Sequence, residues 1–111
     1  MLLRIESILN HFDDPSILLT GLFRVDGIPI VVKCRDKISI LGIADWLDRY
    51  IRDSLERMIR EDINEVNAKF KDLFVRISPL TKTLALVLVS NDETSLYKFE
   101  MDIFSLRIAL K

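Results

Sequence analysis

The sequence is short of the residues that staple, punctuate or catalyse. Its 111 residues include one cysteine, one histidine, one tryptophan, three glycines, three prolines and no glutamine. A lone Cys34 excludes an internal disulfide framework and any multi-cysteine zinc site, and it points to a reducing, cytoplasmic setting. The glycines (Gly21, Gly27, Gly42) and prolines (Pro15, Pro29, Pro79) are scattered. No flexible linker, internal repeat or low-complexity tract follows from them, and residues 1–111 read as one domain. Long apolar runs are missing too. The longest, Leu84 to Val89, has six residues, far short of a bilayer span. Met1-Leu2-Leu3 runs straight into Arg4 and Glu6, which leaves no secretory core, so direct membrane insertion is not expected. Neither sign of charge is in surplus. Sixteen Lys and Arg against seventeen Asp and Glu give a formal net charge of −1. A protein that neutralises many phosphates needs a basic excess, so nucleic acid is excluded as a first partner. The lack of glutamine fits a heat-adapted source.

What is present is a folding composition, 50% hydrophobic and 30% charged. Leu2, Ile5, Leu9 and Phe12 are spaced three or four apart, which predicts a short first helix stopped by Asp13-Asp14-Pro15. Ile17 to Val25 is apolar at almost every position and predicts a strand covered on both faces. Asp26-Gly27 supplies a two-residue hairpin signal. The return strand, Ile28 to Cys34, carries Pro29, which has no ladder donor and belongs at a sheet edge. Leu73, Val75 and Ile77 alternate with Arg76 and Ser78, and Pro79 to Lys82 reads as a turn. Thr83 to Ser90 predicts a second strand apolar on both faces. Asn91 or Asp92 caps a last helix with two apolar rows: Leu96, Phe99, Ile103, Leu106 and Leu110, then Tyr97, Met101, Phe104 and Ile108. That helix is expected to be mostly buried.

The middle helix runs from about Ile40 to at least Arg60, capped by Asp36 or Ser39. At 100° per residue its apolar set is Trp46, Tyr50, Ile43, Leu47, Met58, Ile51, Leu55 and Ile59. This set spreads over roughly 220°, against the ≳100° stripe of an ordinary surface helix. One sheet is not expected to cover that arc, and a second copy of the chain is the cheapest cover. Its polar face suggests i,i+4 pairs Asp48–Arg52, Asp53–Arg57 and Glu56–Arg60. Beyond it, Ile63, Val66 and Phe70 continue the helical spacing, while Asn64, Val66, Ala68 and Phe70 sit two apart. The favoured reading is a break near Asp62 and a short edge strand from about Asn64 to Phe70. Together the elements predict an α/β (α+β) fold. It is a three-layer α/β/α sandwich around a mainly antiparallel sheet of four or five strands, with the long helix on one face and the terminal helices on the other.

No catalytic, metal or cofactor constellation can be assembled. His11 has no partners at ligand spacing and reads as a surface or capping imidazole. Cys34 is flanked by Lys33 and Arg35, but on a strand those neighbours point to the opposite face. Asp13-Asp14 and Asp92-Glu93 sit where caps and turns want acids. Trp46 and Tyr50 stand out instead. They lie one turn apart at the border of the apolar arc, beside Arg49, Asp53 and Arg57. They suit either core packing or an interface anchor, since Trp, Tyr and Arg are enriched at binding hot spots.

Three stretches resemble the roadblock (dynein light chain) family, a relative of the longin and profilin-like folds. The first is Leu22-Phe23-Arg24-Val25-Asp26-Gly27-Ile28-Pro29-Ile30, similar to the family's opening hairpin. The second is Val75-Arg76-Ile77-Ser78-Pro79-Leu80 leading into Leu84 to Val89, similar to its last two strands. The third is the closing helix after Asn91-Asp92. The resemblance implies non-catalytic work without metal or cofactor. It implies dimers, with the same or a paralogous chain, that pair edge strands and pack middle helices. Such dimers serve as platforms or regulators for Ras-like small GTPases, or as light chains in larger complexes. The combined expectation is a cytoplasmic adaptor or regulatory subunit. Its dimer or partner interface is expected to use Trp46, Tyr50, Ile43, Leu47, Asp53, Arg57, Val66 and Phe70. A structural scaffold subunit, and a small-molecule sensor with a pocket beside the final helix, are the alternatives.

Overall fold

The two strands that are apolar on both faces sit at the centre of the sheet. The computed structural model describes residues 9–12, 14–63 and 65–110. Strands β1 (Ile17–Arg24), β2 (Pro29–Cys34), β3 (Val66–Phe70), β4 (Leu73–Pro79) and β5 (Leu84–Ser90) form one sheet in the order β2-β1-β5-β4-β3. Every neighbouring pair is antiparallel. Strand alternation splits the side chains between two cores. Leu19 and Phe23 of β1, Leu73, Val75 and Ile77 of β4, and Ala85, Val87 and Val89 of β5 face one helical layer. Leu22, Leu86 and Leu88 face the other. The expected three-layer sandwich is the observed one.

The first layer holds α1 (Lys37–Leu41) and α2 (Ala44–Glu61). These replace the single helix that the spacing predicts from Ile40. Asp36 is the cap, and its carboxylate accepts from the Ser39 amide at 3.1 Å and the Ser39 hydroxyl at 2.8 Å. Those bonds, the amide's first, hold its carboxyl below the ordinary range. Helix α1 stops at Gly42, the poorest interior helix former after proline. Ile43 then leaves the helical region (φ −125°, ψ 10°) to start α2. The end of α2 falls as expected at Asp62, whose φ of 52° is left-handed.

The second layer holds residues 9–11, which are helical, with α3 (Glu93–Tyr97) and α4 (Glu100–Ala109). Residues 1–8, with Leu2 and Ile5 of the predicted first helix, lie outside the described residues, as do Asp13 and Asn64. Phe12 is fully buried edge-to-face on Phe99, with centroids 5.2 Å apart. His11 Nε2 donates to Asp102 Oδ1 at 2.9 Å, tying the same two segments at the surface. Asp92 caps α3, accepting from the Thr94 amide. The predicted last helix is interrupted at Lys98–Phe99, and only its first apolar row is buried. Tyr97, Met101, Phe104 and Ile108 are about half to three-quarters exposed. The sheet offers one face, and the Leu96–Phe99–Ile103 row already occupies it.

The β1–β2 hairpin also differs from the two-residue form expected. Gly27 N–H donates to Arg24 C=O at 2.9 Å, and Arg24 N–H donates to Ile28 C=O at 2.8 Å. Val25, Asp26 and Gly27 therefore make a three-residue loop whose last position is left-handed, with Gly27 at φ 94°. A Cβ there would also meet Arg52 Cγ at 3.2 Å. Gly27→Ala is expected to cost about 1–2 kcal/mol, read as a lower urea midpoint with unchanged slope.

Asp14 fastens the chain's start to the terminal helices. Its carboxylate takes the Lys98 ammonium and accepts from the Ser16 amide at 2.9 Å and the Ser16 hydroxyl at 2.6 Å. Lys98 first, then Ser16, hold this carboxyl well below the usual carboxylate range. A folded pKa below the unfolded value adds stability that is complete above the unfolded pKa of about 3.9 and fades below it. The stability gap between the wild type and Asp14→Asn is therefore expected to be flat from pH 7 to about 5. It should then shrink steadily below about pH 4 in urea titrations.

Candidate interface on the long helix and the edge strand

Helix α2 crosses the face of the sheet and its buried stripe is Leu47, Ile51, Ser54, Leu55 and Met58. Ile43 and Leu47, two of the expected interface residues, are 4% and 5% exposed and belong to this core. They anchor the first turns of the helix to the sheet. The sheet covers more of the apolar arc than the spacing predicts. Five strands span about 19 Å, against about 10 Å for a helix, so side chains from the sheet margins reach the helix flanks. Of the arc, Ile59 alone is mostly exposed, at 61%. Trp46 and Tyr50 are half-buried.

These two aromatics meet the edge strand. The Trp46 ring lies parallel to Phe70 of β3 at 4.3 Å and to Tyr50 at 5.0 Å, with interplanar angles of 12° and 13°. The expected residues Trp46, Tyr50 and Phe70 thus form one stacked cluster joining α2 to β3. Val66 packs half-buried at the other end of β3. Burial pushes the Tyr50 hydroxyl above its ordinary pKa, against smaller pulls from Ser54 and Arg57.

Asp53 and Arg57 are exposed on the solvent side of α2. Arg57 Nε donates to Glu61 at 3.3 Å, instead of making the Asp53–Arg57 pair that spacing predicts. The other two expected pairs form, Arg52–Asp48 at 3.4 Å and Arg60–Glu56 at 3.7 Å. Such exposed pairs contribute a few tenths of a kcal/mol and act more on specificity than on stability.

Strand β3 is an outer strand and bonds β4 on one side only. Its other side presents backbone donors and acceptors to solvent, a ready template for a further strand. Pairing is moderated by lysine: Lys69 lies over the Phe74 ring and Lys71, left-handed at φ 56°, over Phe70. The opposite edge, β2, opens on Pro29 and is the poorer template.

A feature that periodicity did not single out lies on the other face. Arg76 of β4 is 3% exposed. Its guanidinium is bonded to Glu65, donates to Leu96 C=O at 2.8 Å, and lies over the Tyr97 ring. Glu65 also accepts from Ser78 Oγ at 3.2 Å. The signal available was an arginine inside a strand, with apolar Val75 and Ile77 on either side.

Among the described residues no three His, Cys, Asp or Glu side chains gather as a metal site, and no helix is long and apolar enough to cross a membrane. Cys34 is half-buried against the α2 core at the end of β2. An open cleft of about 540 Å³ lies between Met58, Ile59 and the Pro79–Lys82 turn.

The model of the AF0774-like protein family matches residues 3–104. The chain belongs to the AF0774-like family. No curated protein matches it. Several solved structures share the fold. MglC from Myxococcus xanthus is 16% identical with a TM-score of 0.71, over 98% of this chain and 99% of that one. A Roadblock/LC7 domain from Streptomyces avermitilis is 17% identical with a TM-score of 0.57, over 95% and 92%. The gliding protein MglB from Thermus thermophilus is 15% identical with a TM-score of 0.67, over 96% and 85%. This AF0774-like chain therefore has the roadblock fold that its hairpin and last two strands resemble.

Proposed function

We propose that the protein is a non-catalytic, dimeric platform that binds and regulates a Ras-like small GTPase. The observation that carries the dimer is the pairing of an open β3 edge with the Trp46–Tyr50–Phe70 stack beside it. A second copy placed two-fold across β3 continues the sheet and brings the α2 helices side by side, with Asp53 and Arg57 on their facing flanks. The GTPase role rests on the roadblock fold and its likeness to MglC and MglB. The free thiol of Cys34 suits a cytoplasmic setting.

Light scattering on the purified chain tests the first half, with a dimer expected at micromolar concentration and a clean monomer overturning it. Calorimetric titration with a Ras-like GTPase from the same organism, loaded with GDP or a GTP analogue, tests the second. Tighter binding of one nucleotide state supports regulation. Equal or absent binding, with a motor, filament or scaffold component captured instead, favours the structural light-chain reading.

A further inference from the structure

An exposed apolar row lies on α4, on the sheet face opposite α2. Met101, Phe104 and Ile108 are 72%, 55% and 58% exposed. At 100° per residue they fall within about 60° of one another. Tyr97, 48% exposed at the end of α3, precedes them. Ile103 and Leu106 pack inward, so α4 is apolar on both sides, a pattern that belongs to helices covered on both sides.

The polar flanks say what covers it. One flank of the row carries Glu100 in the first turn and Arg107 in the last. The Glu100 carboxylate is two-thirds exposed and lies 3.8 Å from the Arg76 guanidinium on its inner side, which leaves its outer side to the second copy. Arg107 Nε is held by the Pro79 carbonyl at 2.7 Å, which fixes the guanidinium on that side. The other flank carries Ser105 and Ala109, both exposed and small. In an antiparallel helix pair about a two-fold axis, each flank meets the same flank of its mate in reverse order. Glu100 then faces Arg107 of the second copy, and Arg107 faces its Glu100. Phe104 falls on the axis, Met101 meets Ile108, and the small flank lets the helices approach. The apolar centre and the charge centre lie within about one residue of each other, so one register satisfies both.

We infer that a second copy of this chain docks on α4 through an antiparallel, two-fold α4–α4 contact, separate from the α2–β3 dimer. One contact at the β3 edge and one on the terminal-helix face join dimers into tetramers or open strings.

Charge reversal tests this on the full chain. Glu100→Lys and Arg107→Glu, each alone, are expected to weaken the association beyond the dimer about tenfold or more in light scattering and sedimentation. Glu100→Gln, which sets no like charge against Arg76, should weaken it in the same direction and separates the interface effect from that contact. The double charge-reversal variant should return to within about threefold of wild type. An unlike partner, or cover from elsewhere in the same chain, would give no such recovery, and that result overturns the proposal. Cross-linking fixes the register in a Cys34→Ser background. Phe104→Cys should oxidise to a covalent dimer. Tyr97→Cys should not, because its copy would lie about 20 Å away along the pair. Equal cross-linking at 97 and 104 overturns the register. Phe70→Lys separates the two interfaces. It should remove the α2–β3 dimer and leave the α4 cross-link intact, so failure of one assembly is distinguishable from failure of the other. Circular dichroism melts of each variant confirm that it is folded.

Discussion

Arg76→Ala is expected to lose about 3–5 kcal/mol of stability, the range for breaking a buried ion pair from one side. Marginal domains hold about 5–15 kcal/mol in total, so the variant should be unfolded in part at 37 °C. The reason lies in what the guanidinium holds together. It bonds Glu65 at the entry to β3 and Leu96 C=O in the last turn of α3, with Glu100 of α4 at 3.8 Å. One side chain therefore ties the edge strand to both terminal helices, and removing it leaves the Glu65 carboxylate with the Ser78 hydroxyl as its remaining side-chain partner among the described residues. Arg76→Lys is not a conservative change, because an ammonium does not span the carboxylate and the carbonyl in one plane. Replacing both partners, Arg76→Met with Glu65→Leu, should recover most of the loss, since the desolvation cost of the pair disappears with its charges. A double-mutant cycle in urea gives the coupling directly. A single-variant loss below about 1 kcal/mol would mean that water replaces the guanidinium at no cost, and would remove Arg76 as the tie between layers.

Arg76 also marks where sequence reading stops. Alternation puts it with Ser78 on the face opposite Leu73, Val75 and Ile77, but period-two patterning does not say what lies on that face to meet. Glu65 sits 11 residues earlier and Leu96 20 later, and only the folded topology brings them together. The double-faced strands, the Pro29 edge strand, the Asp62 break and the β3 edge were legible because each follows from local chemistry. The split at Gly42–Ile43 and the interruption at Lys98–Phe99 were not. Apolar spacing runs through both, and helical periodicity carries over a one- or two-residue break. The same limit moved the surplus apolar surface. Periodicity measures the arc over α2 without the sheet margins that cover it, and it marks the second row of α4 as apolar without showing that the sheet face is already taken by the first.

Trp46→Ala is expected to raise the dissociation constant of the α2–β3 dimer by at least about 30-fold, the factor that a 2 kcal/mol hot spot represents. The Trp46 ring lies parallel to both Tyr50 and Phe70. Without it, the α2 flank loses its contact with β3, and the edge strand loses the ring that sets its position for pairing. Half-buried aromatics also stabilise the lone chain, so some loss of stability accompanies the change, and the two effects must be separated. Leu55→Ala provides the contrast. Leu55, on the inner face of α2, is 1% exposed, and its truncation is expected to cost about 2–5 kcal/mol while leaving the self-association of the folded fraction unchanged. Dilution series by sedimentation, matched by urea melts at one concentration, place each variant on the two axes. Trp46→Ala should move mainly in dissociation constant and Leu55→Ala mainly in midpoint. If both move only in midpoint, the stack is ordinary core packing, and the open edge of β3 finds its partner without it.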